Sequence, residues 1–164
     1  MRYAIVAGFL LITPLLGGLY GALYDQLTYS ISPEFFVNVR AMDSAAANPR
    51  WEVAKIGFSN TWGIGLFLGA VLSLAGLIHE NARQHIRITL QSFFLPIGFA
   101  FLFALLGMIM PCEHSDPQLS NIQDQPAFLC VLRMNNYTKV GGIIGMIFGL
   151  GWQVWKYKRM AKSR

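Results

Sequence analysis

Four stretches of this chain carry no charged side chain, and their lengths decide what it can fold into. Tyr3 to Tyr24 spans 22 residues, Ile56 to Ile78 spans 23, Ile88 to Pro111 spans 24 and Val140 to Trp155 spans 16. The hydrocarbon core of a bilayer is about 30 Å thick and is crossed by about 20 helical residues. The first three runs meet that length as they stand. The fourth meets it by taking in Tyr137 to Lys139, with the Lys139 ammonium snorkelling to the interface. Composition points the same way: 54% of the 164 residues are apolar and 13% are charged, about half the charged share of a soluble domain. Disorder, a collagen-like fibre, a coiled coil and a small disulfide scaffold are excluded on these values. The expected fold is all-α: one integral membrane four-helix bundle over residues 1–164. Its spans lie at about 3–24, 56–78, 88–111 and 137–155, and its outer loops at 25–55 and 112–136.

The charges orient the bundle. Arg2, Arg83, Arg87, Lys156, Lys158, Arg159, Lys162 and Arg164 fall on one side against Glu80 alone, a net +7. The two long loops hold Arg40, Arg50, Lys55, Arg133 and Lys139 against seven acids, Asp25, Glu34, Asp43, Glu52, Glu113, Asp116 and Asp124, a net −2. Positive-inside placement puts both termini in the cytoplasm of a multi-pass inner (plasma) membrane protein. The basic balance therefore calls for no nucleic acid; the bilayer itself is the partner. The first run has no small-x-small cleavage site beyond the weak Gly21-Ala22-Leu23, so it is expected to stay as a helix.

The first outer loop is the richest in signals. Thr28, Ser30 and Ser32 alternate with Tyr29 and Ile31, a period-two pattern that predicts an extended piece. Ser32-Pro33-Glu34 reads as a helix start, with a capping hydroxyl, a proline at the first helical position and an acid near the positive helix end. The apolar stretch Phe35 to Met42 then predicts a short interfacial helix. Asn48-Pro49 repeats the start signal for the second span, with Trp51 and Trp62 at the interface. Asp25, Gln26, Tyr29, Glu34, Asn60 and Trp62 are expected at one depth on the outer face. Two readings stand for them: a hydrogen-bonded turn in which Asp25 ends one helix and Glu34 caps the next, or a polar centre that binds a cation or moves a proton.

The segment from Tyr20 to Phe36 (YGALYDQLTYSISPEFF) resembles one found in small bacterial membrane proteins of unassigned function. In that family a G-x-x-x-D-Q-x-T-x-x-I-x-P-E-[YF]-F pattern follows the first span. Where the family usually has histidine before Asp-Gln, this chain has Tyr24, so no ligand role carries over to that position. The resemblance covers about a tenth of the chain. It implies a bacterial inner-membrane location and no particular chemistry.

Cys112 and Cys130 both fall on the expected outer side, which is oxidising. A disulfide between them would close a loop of about 19 residues, worth about 3 kcal/mol in the chain-entropy model. A membrane thiol oxidoreductase would need a Cys-x-x-Cys pair, and there is none. Gly17 and Gly21, Gly65 and Gly69, and Gly141, Gly145 and Gly149 repeat every four residues, flat stripes on which helices approach closely. These stripes pack the chain's own helices, or dock another membrane protein or a second copy. His79, Glu80 and His85 are expected at the cytoplasmic interface with their polar heads snorkelled outward. His114 beside Cys112, Glu113 and Asp116 makes a metal site only without the disulfide, so no metal is assigned. No cofactor motif, P-loop or nucleophile elbow is present, and no ionisable group lies deep in a span as active transport requires. The expected function is a non-catalytic accessory or assembly partner. The alternative is an interfacial enzyme or a ligand- or ion-binding protein using the outer carboxylates.

Overall fold

The computed structural model describes residues 2–110 and 121–161, which form helices and no strand. The order is α1 (Arg2–Ile31), α2 (Pro33–Asn38), α3 (Pro49–Ala75) running into a 3-10 turn (Gly76–Ile78), α4 (Ala82–Ile109) and α5 (Gln125–Ala161). Three segments, Arg2–Ile31, Pro49–Ile78 and Ala82–Ile109, are long and apolar enough to cross a membrane. α5 is the longest element at 37 residues.

Three helices begin where a short polar side chain takes over an unpaired amide. Asn48 accepts from the Trp51 amide at 3.2 Å, Asn81 from Arg83 at 3.0 Å and Asp124 from Ala127 at 3.1 Å. The Asp124 cap, with Pro126 inside the first turn, starts the last helix at Gln125 rather than at 137. The expected loop 112–136 is therefore shorter, and Cys130 lies on α5. The stretch Thr28 to Ile31 is helical, not extended. Its hydroxyls turn back onto their own helix, Thr28 to the Tyr24 and Asp25 carbonyls and Ser30 to Gln26. The period-two pattern was thus overruled by local back-bonding and by burial of Tyr24 and Thr28 on one face. Ser32 occupies the cap position of α2 but makes no cap hydrogen bond.

The long helices pack in two pairs, α1 with α3 and α4 with α5, with far thinner contact between the pairs. Glycine permits both. A Cβ on Gly17 would lie 2.7 Å from the Gly65 Cα, and one on Gly145 would lie 2.5 Å from the Pro96 Cα. Gly69 faces Thr13, Gly141 faces Phe99 and Gly149 faces Ser92. All three glycine stripes are therefore covered by the chain's own helices. At one end of the molecule, Arg2 donates to the Glu80 carbonyl at 3.0 Å and the Tyr157 ring stands 6.3 Å from that of His79. The two ends of the described chain thus meet beside the α3–α4 turn. At the opposite end Phe35, Phe36, Met42, Val53, Ile122, Phe128 and Val131 form a compact apolar core. The short helix α2 is present, and its two phenylalanines are buried in this core instead of lying along a surface. Each contributes about 1.5–3 kcal/mol where the reference state is water.

Among the described residues there is no disulfide. Cys112 and His114 lie outside them, and the Cys130 sulfur stands 3.9 Å from the Met108 carbonyl.

Candidate functional site

Thin contact between the helix pairs leaves space. A cavity of about 290 Å³ lies between them, close to the size range of small-molecule sites. Its inner part is apolar, with Leu68 from α3, Phe93 and Ile97 from α4 and Met146 from α5. Ile64, Phe67 and Ile143, all exposed, border it and open it sideways between α3 and α5. Tyr20, Thr61, Thr138 and Lys139 border the half nearer α2, yet the surface of the cavity is almost wholly apolar, since the Thr61 and Thr138 hydroxyls donate to the Gly57 and Met134 carbonyls. From Thr138 to Met146 the cavity follows α5 for about 12 Å at 1.5 Å per residue. Gly142 also lines it, and a Cβ there would meet nothing within 4 Å.

A buried polar layer lies beyond the Tyr20 end of the cavity. Tyr20 and Tyr24 stack with ring centroids 5.9 Å apart. The Tyr24 and Thr138 hydroxyls share a hydrogen bond of 3.1 Å, whereas the buried Tyr20 hydroxyl has no partner among the described residues. Asp25 is 3% exposed, and its Oδ2 likewise has none. Arg40 lies close enough to attract Asp25, yet its guanidinium donates to Asn135 at 3.1 Å and lies over the Phe35 ring.

The residues expected to gather at one depth are distributed among four places. Asp25 belongs to the buried layer just described. Gln26 donates to the Arg50 carbonyl at 2.7 Å, and Arg50 in turn lies over the Tyr29 ring at 5.2 Å, a half-exposed cluster beside it. Glu34 points away from both: its two carboxylate oxygens accept the Gln123 and Asp124 amides at 3.2 and 3.1 Å. It satisfies the start of α5, not the start of its own helix, as suits an acid at a positive helix end. Asn60 and Trp62 are exposed on α3 and sit about 10 Å deeper than Asp25, since Gln26 is level with Arg50 and Gly17 with Thr61 and Gly65.

A second buried polar group lies at the opposite end, and here the expectation fails. His79 and His85 do not snorkel; they are 1% and 0% exposed. His85 Nε2 pairs with the Ser73 carbonyl at 3.0 Å, and Gln153 donates to the Leu72 carbonyl at 2.8 Å. Both ring nitrogens of His79, His85 Nδ1, the Thr89 hydroxyl and Gln153 Oε1 have no partner among the described residues. Burial first, and His85 second, hold the His79 imidazole pKa below its ordinary value of 6.5. For His85 the available signal was Gly76: without a side chain there, the His85 ring and the Thr89 hydroxyl of α4 can close against the end of α3.

No family model, curated protein or solved structure matches the chain.

Proposed function

We propose that the chain is a four-span bacterial inner-membrane protein with both termini cytoplasmic, and that it holds a lipophilic ligand without catalysis. The ligand's apolar body occupies the cavity between the helix pairs. The observation that carries this reading is the cavity: almost wholly apolar and bordered by exposed apolar side chains of α3 and α5 that leave it open sideways. A lateral opening suits a molecule that arrives through lipid. The topology is supported by the meeting of the two chain ends beside the α3–α4 turn, where the basic residues collect.

An assembly role resting on the glycine stripes has less support, because those stripes are already occupied within the chain. A paired-carboxylate reaction also has less, because Glu34 is engaged by two backbone amides and stands apart from Asp25.

The test is to fill the cavity. Gly142→Leu adds a side chain where a Cβ meets nothing, so the fold is expected to survive. Protein purified in mild detergent is examined by native mass spectrometry for co-purifying lipophilic molecules. The wild type is expected to carry one, and Gly142→Leu to lose at least nine-tenths of it at unchanged melting temperature. A wild type that carries none, or a folded variant that carries as much, overturns the proposal.

A further inference from the structure

The ends of α4 and α5 nearest the chain termini form a groove that is separate from the inter-pair cavity. It encloses about 390 Å³ and is lined by Gln84, Arg87, Ile88, Gln91, Lys156 and Arg159. Three of these are cations, and neither α4 nor α5 contains an aspartate or glutamate. Among the described residues none of the three makes an ion pair; the ion pair that is present joins Lys55 to Glu52 at the other end. Two of the cations are held in place by aromatic faces. Lys156 Nζ lies 4.7 Å from the Trp152 ring and 5.1 Å from Trp155, and the Arg159 guanidinium lies 5.5 Å from Trp155. Deeper along the same two helices, Leu95, Phe148, Gly151, Trp152 and Trp155 line a second depression of about 430 Å³, almost wholly apolar. Gln84, Arg87, Gln91 and Leu95 follow one another at helical spacing on α4, as Phe148, Trp152, Lys156 and Arg159 do on α5. The basic and apolar sections are thus consecutive parts of one groove.

We propose that this groove binds an anionic phospholipid of the cytoplasmic leaflet, with the phosphate among Arg87, Lys156 and Arg159 and an acyl chain in the apolar section. Charge complementarity selects the head, because three cations, two of them held by aromatic rings and none ion-paired among the described residues, favour an anion. The apolar continuation selects a lipid. The proposal rests on the membrane placement above but not on the ligand of the inter-pair cavity.

The test uses the full chain with Trp51→Phe and Trp62→Phe, so that Trp152 and Trp155 report alone. The protein is placed in phosphatidylcholine bilayers containing the same small fraction of either brominated phosphatidylglycerol or brominated phosphatidylcholine. Brominated phosphatidylglycerol is expected to quench at least three-fold more strongly. Arg87→Gln with Arg159→Gln is expected to bring the two lipids to parity, while Arg87→Lys with Arg159→Lys keeps the preference. Equal quenching by the two lipids in the parent chain overturns the proposal and leaves the membrane placement standing. Quenching by neither lipid overturns both. A Lys variant that falls to parity as the Gln variant does overturns charge recognition.

Discussion

His79 shows what burial does to one side chain. It sits in a three-residue link between a 3-10 turn and α4, with an unpaired ring walled in by His85 and Tyr157. Because folding lowers its pKa, the unfolded chain takes up the proton more readily. Stability is therefore full above the unfolded value of about 6.5 and falls as pH drops through that value toward the folded one. Thermal unfolding in detergent is expected to show a lower melting temperature at pH 5.5 than at pH 7.5, and His79→Phe to shrink that difference. An unchanged difference in the variant would remove His79 as the cause. Little of this was legible in the sequence, where a histidine beside a short charged link reads as an interfacial residue. Asp25 is the converse case: its position after the first apolar run marked it as unusual, but the cation near it, Arg40, is held by Asn135 from a distant part of the chain.

At the level of the element, if the helices lie in lipid as proposed, apolar burial contributes little between them and close packing carries the α1–α3 contact. Gly17→Ala would press a methyl group onto the Gly65 backbone. It is expected to cost about 1–3 kcal/mol, the usual range for overpacking. Gly63→Ala on the same helix pair meets open space and is expected to leave the melting temperature within error. Equal effects from the two changes would mean that helix propensity, not contact, sets the cost. The charge-free runs made three of the long helices plain, because absence of charge over about 20 residues admits few alternatives. The true start of α5 escaped that logic. Gln125 to Lys139 is mixed in polarity, and its helical state depends on the Asp124 cap and on Glu34, 90 residues earlier in sequence.

For the whole molecule, the sequence carried the sorting of charge between the two ends, since that is a property of composition by segment. It could not carry the cavity, which arises only from the angle and spacing between two helix pairs. Those pairs are joined in sequence by a single turn, His79 to Asn81, and in space at both ends: by the core where Phe35 and Phe36 meet Phe128 and Val131, and by His85 and Gln153 on the Ser73 and Leu72 carbonyls. The chain is thus two hairpins, each holding its own tightest contacts. On the proposed membrane placement, each hairpin would be a natural unit of insertion, and the second could find the first after both are in the bilayer. Cutting the chain between Glu80 and Asn81 and co-expressing the fragments is expected to give a complex that co-purifies through a tag on one half. Failure to associate, with both halves inserted, would show that the link does more than connect. Complementation would mean that the cavity is an assembly product, formed when two separately made hairpins meet.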